Sequence, residues 1–564
     1  MEPEEPPVNR LVNRRIRLFL AVLGLAFAGL LLRATWLQSV RAESLSSMGR
    51  TQHRESVTIP AGRGTIFDRS GLELALGERA TTVYANPMQI ANPRRAALAV
   101  ERTLGVNADR IFPSLADRTH GFVYVERQAD PTRAAALQRL KLPGFGFYPE
   151  ERRNYPQGSV AAQILGFVGT DGSGLSGLEF QFNRVLAGRP GKETIVKDPS
   201  GQVIDVQGER PEVPGRDVYL TLDHSIQANA EEVLRETVRK WNAKSASAIV
   251  LDPRTGAILA MAVQPGYDAN RFASAPVDLQ RNRTVTDTYE PGSTYKLITV
   301  AGALSERIVQ PTTRFTLPYS LHVADRVIHD PEERGTVNYS VAQILAHSSN
   351  IGAIKLAQLL GRTRLSSWIT KFGFGRMTGI DFPGESPGIV LPPDKWSGST
   401  IGNVPIGQGI AVTPVQMAAA YAAIANRGVW SRPHLVDHVA GGARPSLNRR
   451  RLVSPQIANQ LMMMLKDVVA EGTGQYAAMP GYQVAGKTGT AQKPDSHGGY
   501  ATGRYVASFV GIVPASRPRF VILVAVDEPR GAIWGGTVAA PAFQQIARFD
   551  LQYLEVPPDA APGQ

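Results

Sequence analysis

The polar and apolar positions along the chain fall into three textures. The first is Leu18 to Leu32, LFLAVLGLAFAGLLL, where every position is apolar or glycine. With Ile16 before it and Ala34, Trp36 and Leu37 after it, the stretch reaches the roughly 20 residues that span a bilayer as a helix. Arg33 is placed to snorkel and Trp36 to sit at the interface. A globular helix at a chain terminus is seldom apolar on all faces. A cleaved signal peptide is the stronger rival, but the small residues around Val40-Arg41-Ala42 lie too far beyond the apolar stretch. The reading is an uncleaved anchor over residues 16–37. The tail before it, residues 1–15, begins with the acidic, proline-rich Glu2 to Pro7, expected to be disordered.

The second texture covers residues 38–215. Residues 38 to about 60 are polar and read as a helical stalk. After them, short strands alternate with helical stretches such as Pro93 to Leu104 and Pro131 to Leu140, with dense Gly/Pro punctuation at 142–146 and 186–215. This predicts an elongated α+β module. The third texture, residues 216–553, opens with a strand at Val218 to Leu222. A helix follows from Ser225, its expected N-cap, to Trp241, with Ile226, Ala230 and Leu234 on one face. Ala246 to Leu251 and Ala257 to Val263 are apolar runs joined by Asp252-Pro253-Arg254-Thr255-Gly256, a hairpin signature. Tyr505 to Val513 and Arg519 to Val526 form a second pair. Between them the pattern predicts helices over 294–306, 340–347, 351–361, 365–372, 413–426 and 455–470. The expected fold class is therefore α+β, with one antiparallel sheet assembled from both ends of the domain and flanked by helices. Residues 554–564, rich in Pro and Ala, are expected to be a disordered tail.

Charge orients this plan. The chain carries 61 Lys+Arg against 49 Asp+Glu, a net +12, which fits nucleic acid, an anionic envelope surface or plain solvated surface. Arg10, Arg14, Arg15 and Arg17 precede the apolar stretch, so the positive-inside rule places the N-terminus in the cytoplasm and everything after about residue 38 outside. An exterior domain argues against a nucleic-acid partner. The sequence has no cysteine, which excludes disulfides, thiol nucleophiles and Cys-based zinc sites. Its nine histidines suggest no ligand set. His434 and His438 are four apart, but Pro433 and Leu435-Val436 take them off a helix. No metal and no cofactor are expected.

Without cysteine a nucleophile must be Ser, Thr, Lys or a carboxylate. Ser293-Thr294-Tyr295-Lys296 follows Glu290-Pro291-Gly292 and opens a helix with Leu297, Val300, Ala301 and Leu304 at core spacing. Ser293 then sits where free backbone N–H groups favour developing negative charge. Lys296 lies about one turn on, and a buried lysine near other cations can accept a proton. Ser348-Ser349-Asn350 breaks two apolar helical stretches and offers a hydroxyl and an amide. Lys487-Thr488-Gly489-Thr490 follows Tyr482 to Gly486, and its glycines imply close approach of a ligand or backbone at an edge strand. Taken singly, a solvated lysine, a helix cap and a Thr-Gly turn are the plainer readings of the three.

Taken together, S-x-x-K, S-x-N 55 residues on and K-T-G a further 139 on resemble the motif set of serine penicillin-binding proteins and class A β-lactamases. Arg281-Asn282-Arg283-Thr284, Gly407-Gln408-Gly409 and Thr413-Pro414-Val415-Gln416 look like a class B penicillin-binding protein. So do Arg63-Gly64-Thr65-Ile66-Phe67-Asp68-Arg69, Tyr155-Pro156, Leu165 to Gly169 and Gly177-Leu178-Glu179. The likeness runs from about residue 55 to 550 and is greatest to division-specific transpeptidases, with sporulation-type relatives close behind.

The resemblance implies a single membrane anchor, a non-catalytic, dimerisation-type pedestal (38–215) and a transpeptidase domain (216–553) with a helical subdomain. It implies acyl transfer from peptidoglycan stem peptides ending in D-Ala–D-Ala, with Ser293 as nucleophile and Lys296 as general base. Ser348, Asn350 and Lys487 would relay protons and hold substrate. Thr488, Gly489 and Thr490 would bind the terminal carboxylate, and the backbone N–H groups of Ser293 and Thr490 would form the oxyanion hole. β-Lactams would acylate Ser293. A polytopic membrane glycan polymerase and other division proteins would dock on the anchor and pedestal. The competing readings are an elongation or sporulation transpeptidase, a D,D-carboxypeptidase, a β-lactamase and a mainly non-catalytic scaffold. A bifunctional glycosyltransferase would need a Glu-Asp-x-x-Phe motif that residues 38–215 lack.

Overall fold

The computed structural model describes residues 7–41, 54–197, 203–495 and 497–560. The chain forms two compact units. One comprises Met1–Ala61 and Arg189–Pro214. It holds the helix Pro7–Ser39, the one described helix long and apolar enough to cross a membrane. It also holds a three-stranded antiparallel sheet in which Gly191–Lys197 lies between Arg54–Ile59 and Val203–Arg210. The strand at 54–59 corrects the expected stalk. Its Val-Thr-Ile run suits an extended backbone, and its partner comes from more than a hundred residues away. The rest of the expected stalk, 42–53, and residues 1–6 lie outside the described residues.

The second unit comprises Gly62–Gly188 and Gly215–Gln564. In its first part the long strand Glu73–Ala85 pairs with both Val123–Ala129 and Phe145–Asn154. Helices Pro93–Leu104, Ala108–Ala116 and Pro131–Arg139 bury Ala97, Val100, Leu115 and Leu137 against these strands. The short strand Ile66–Phe67 joins that sheet to Val218–Leu220 in parallel.

The remainder is built on a five-stranded antiparallel sheet in the order Ile258–Gln264, Ser245–Leu251, Phe520–Asp527, Tyr500–Val513, Ala485–Pro494. Both termini of the domain supply strands, as the pattern predicts. The central strand Phe520–Asp527 and the two strands on one side of it, Ser245–Leu251 and Ile258–Gln264, are buried almost throughout because helices cover both faces. Ile226, Ala230, Phe543 and Ile546 pack on Val250 and Val524. Leu297, Ile298 and Met417 belong to the core that holds Ile249, Leu251 and Leu523.

Two local expectations change and one holds. The helix at 224–240 is capped by Asp223, not Ser225, because the Asp223 carboxylate accepts from the N–H groups of Ser225 and Ile226. The segments 351–361 and 365–372 stay two helical pieces, as the pattern predicts: Asn350–Phe372 is broken by a kink at Gly361, where φ is 76° and ψ 159°. Residues 554–560 are not a loose tail. The Tyr482 hydroxyl donates to Val556 O, and the Asp559 carboxylate accepts from the N–H groups of Gln483 and Ser516. Residues 561–564 lie outside the described residues.

Candidate active site

From Glu290 to Leu304 every residue is buried except Ser293, which is half-buried. Gly292–Tyr295 is a 3-10 turn and Lys296–Ser305 the helix that continues it. The apolar sequence Leu297 to Leu304 drives this helix into the core, and the turn presents one hydroxyl outward. That hydroxyl has no protein hydrogen-bond partner among the described residues. Two glycines make the turn possible. Gly292 has φ 55° and donates its N–H to Gly407 O. A Cβ on Gly407 would lie 2.1 Å from Gly292 O. Glu290 Oε1 accepts from Gly409 N at 2.8 Å, which ties the Gly407–Gly409 loop to the segment leading into the turn.

Lys296 is fully buried. Its Nζ donates to Ser348 O at 2.5 Å and Asn350 Oδ1 at 2.7 Å, and lies 3.3 Å from Ser348 Oγ. Burial pulls its pKa down to about 7, against the opposing charge of Asp330. Ser348 has φ 58°, a left-handed conformation unusual for a residue with a Cβ. It lies between the helices Val341–Ala346 and Asn350–Phe372. Asp330 secures this junction. Its carboxylate accepts from Ser349 Oγ, Asn350 N and Ile351 N and pairs with Arg334. Ser349 Oγ caps the helix through Gly352 N.

The third motif runs along the edge strand Ala485–Pro494, the third strand of the sheet in chain order. Lys487 is fully buried, and burial together with the Lys296 charge pulls its pKa well below the ordinary range. Its Nζ lies 3.3 Å from Thr488 Oγ1 and 3.5 Å from Thr473 Oγ1. Thr488 Oγ1 hydrogen-bonds Thr473 Oγ1 at 2.7 Å. Thr490 Oγ1 accepts from Gly535 N at 3.0 Å, so its proton is left to donate elsewhere. Gly489 is required by contact. A Cβ there would sit 2.4 Å from Ser508 Oγ and 2.8 Å from Pro291 O. A Cβ on Gly292 would lie 2.9 Å from Thr490 O, so the backbone of Thr490 lies against the Ser293 turn.

The structure thus gathers all the residues singled out from sequence at one place. Lys296, Ser348 and Asn350 are in direct contact, Lys487 is within electrostatic reach, and the strand 488–490 lies against the serine turn. Asp330 and Thr473 were not singled out. Each acts through a contact with a distant segment, and neither stands in a recognisable spacing. Among the described residues no group of His, Cys, Asp and Glu is arranged to hold a metal ion.

Residues 246–548 match the penicillin binding protein transpeptidase domain and residues 58–220 the penicillin-binding protein dimerisation domain. The peptidoglycan D,D-transpeptidase FtsI of Escherichia coli K12 is 32% identical over 561 residues, covering 97% of this chain and 93% of that protein. Stage V sporulation protein D of Bacillus subtilis is also 32% identical, covering 98% of this chain and 88% of its own. The crystal structure of penicillin binding protein 3 from Mycobacterium tuberculosis in complex with aztreonam superposes with a TM-score of 0.71 at 31% identity, covering 89% of this chain and 98% of that one. Two matched domains in the same order, a serine turn backed by a buried lysine, and relatives matched over nearly their whole length place this chain in the family of class B penicillin-binding proteins.

Proposed function

We propose that this chain cross-links peptidoglycan by serine acyl transfer, and that the observation carrying this reading is the buried, carbonyl-bound Lys296 one turn behind the outward-facing Ser293. A neutral amine has two N–H bonds and one lone pair. Ser348 O and Asn350 Oδ1 accept two N–H bonds, which leaves the lone pair for a hydroxyl. Lys296 then takes the proton of Ser293 Oγ as the oxygen attacks the carbonyl carbon of the penultimate D-Ala. The N–H groups of Ser293 and Thr490 receive the negative charge on the carbonyl oxygen, a contribution of about 3–4 kcal/mol per donor. The intermediate collapses, the peptide C–N bond breaks, and the Ser348 hydroxyl passes a proton to the departing D-Ala amine while taking one from the Lys296 ammonium, 3.3 Å away. The amine of a neighbouring stem peptide then attacks the acyl-enzyme, its proton passes through Ser348 and Lys296 to the Ser293 oxygen, and the ester C–O bond breaks to release Ser293. Thr488 and Thr490 hold the terminal carboxylate of the donor, with Lys487 contributing positive charge when protonated.

In this proposal residues 1–15 are cytoplasmic and 16–37 span the inner membrane. Residues 38–215 form the pedestal on the exterior side and 216–553 the catalytic domain. The four arginines before the apolar helix support this orientation. The likeness to FtsI supports a role in septal synthesis, with a membrane glycan polymerase and other division proteins as partners of the anchor and pedestal. A fluorescent fusion in dividing cells tests that role: a mid-cell band is expected, and a uniform sidewall signal overturns it. The chemistry is tested by Ser293→Ala. The variant is expected to lose all covalent labelling by a fluorescent penicillin, and persistent labelling would refute the assignment.

A further inference from the structure

The catalytic cleft leaves a second concentration of positive charge unused. The strand Arg449–Arg451 pairs with Val429–Ser431 in a two-stranded ribbon, with Trp430 opposite Arg450. Each arginine of the strand is pinned by a main-chain carbonyl. Arg449 donates to Arg254 O at 2.9 Å, Arg450 to Lys371 O at 2.6 Å and Arg451 to Arg427 O at 3.0 Å. The Arg450 guanidinium also stacks on Trp430 at 4.6 Å from the ring centroid. Arg450 and Arg376 line one recess of about 290 Å³ together with Thr370, Thr378 and Asn448. Among the described residues none of Arg376, Arg432, Arg449, Arg450 and Arg451 pairs with a carboxylate. The acidic groups of the adjoining loop are committed to backbone N–H groups. Glu385 accepts from Thr378 and Gly379, and Asp381 from Leu435 and Val436.

We infer that this ribbon is a binding site for a linear, phosphate-bearing polyanion, one phosphate group seated in the recess between Arg376 and Arg450. A carboxylate has two coplanar oxygens and matches a single guanidinium fork. Two forks converging on one recess suit a tetrahedral group that presents oxygens in several directions. The ribbon also argues against a flat bilayer surface as the ligand. Successive strand residues point to opposite faces, so Arg450 and the pair Arg449/Arg451 cannot all meet one plane, whereas a flexible chain can pass from one face to the other. The pinning carbonyls fix the guanidiniums before binding, which lowers the ordering cost. Burial and the charge of Arg376 both pull the Arg450 guanidinium below its ordinary pKa range, as expected of a cation whose counter-charge is missing.

The test uses the full chain in zwitterionic detergent and fluorescein-labelled polyphosphate, read by anisotropy. Wild type is expected to bind, with affinity falling steeply as salt rises. Arg376→Ala, which disturbs no pinning contact, and the pair Arg376→Ala/Arg450→Ala are each expected to weaken binding by about tenfold or more. Covalent penicillin labelling is expected to stay at the wild-type level, which shows that the fold is intact. Arg376→Lys/Arg450→Lys keeps the charge without the forks and is expected to bind between the two. Competition by polyglutamate of equal charge is expected to be about tenfold weaker than by unlabelled polyphosphate, and glycerophosphoglycerol, a soluble lipid headgroup, is expected to compete only weakly. Equal binding by wild type and the alanine variants overturns the proposal. Polyglutamate competing as well as polyphosphate overturns it in favour of an acidic protein segment, and strong competition by the headgroup overturns it in favour of a lipid surface.

Discussion

Two buried cationic centres lie in the same compact unit and treat charge in opposite ways. Arg63 and Arg153 are almost fully buried on either side of Glu179, which is wholly buried, with contacts of 2.6 Å from each arginine. Asn183 and the carbonyls of Gly172, Glu179 and Gly64 accept further guanidinium N–H groups. Lys296 and Lys487 are as deeply buried, yet they face carbonyl and hydroxyl oxygens and each other. The one carboxylate that acts on Lys296, Asp330, is already paired with Arg334 and three donors. Charge neutralised in place is architecture. Charge left without a counter-ion is displaced towards the neutral amine, and that is what a proton acceptor requires.

This contrast can be broken from either side. The largest effect is expected from Lys296→Met, which keeps the volume and removes the base. Acylation by penicillin should fall by about a hundredfold to ten-thousandfold, while the melting temperature stays level or rises, because a buried cation without a counter-ion is gone. Stopped-flow acylation and calorimetry on the same preparation check both halves. Next comes Glu179→Gln, which leaves two buried guanidiniums facing a neutral amide. It should cost about 3–5 kcal/mol of stability, read from denaturant unfolding, while protein that remains folded still labels. The smallest is Gly489→Ala. Its methyl group must displace Ser508 Oγ and the Pro291 carbonyl, a strain of about 1–3 kcal/mol, and the shift of the strand against the serine turn should slow acylation more than it lowers the melting temperature.

Much of this was legible in the sequence because the reactive groups stand in short linear motifs whose order along the chain is itself informative. Ser293 and Lys296 are one turn apart on a helix that the apolar spacing predicts, and Lys487 to Thr490 lie on a strand marked by its glycines. The sheet could be read from both ends because its strands are apolar runs bounded by turns. What escaped was set by distant partners. The left-handed backbone of Ser348 depends on the junction that Asp330 holds from 19 residues upstream of Ser349. Thr473 matters only because the edge strand places Thr488 beside it. Residues 54–59 look like a polar stalk until the strand 191–197 supplies their hydrogen bonds. Local pattern predicts local structure, and it is silent where a residue's role is defined by a contact made in the fold.

The central claim is that Lys296 is kept without a counter-ion so that it is neutral when it meets Ser293. The direct test is the second-order rate constant for penicillin acylation of the wild-type protein, followed from about pH 5 to about pH 9. With a pKa of about 7, Lys296 is an ammonium below that value and has no lone pair to accept a proton. The rate should therefore rise about tenfold per pH unit on the acid side and level off above about pH 7. A rate that is flat across that range, or that rises only towards the ordinary lysine range near pH 10, would contradict the account.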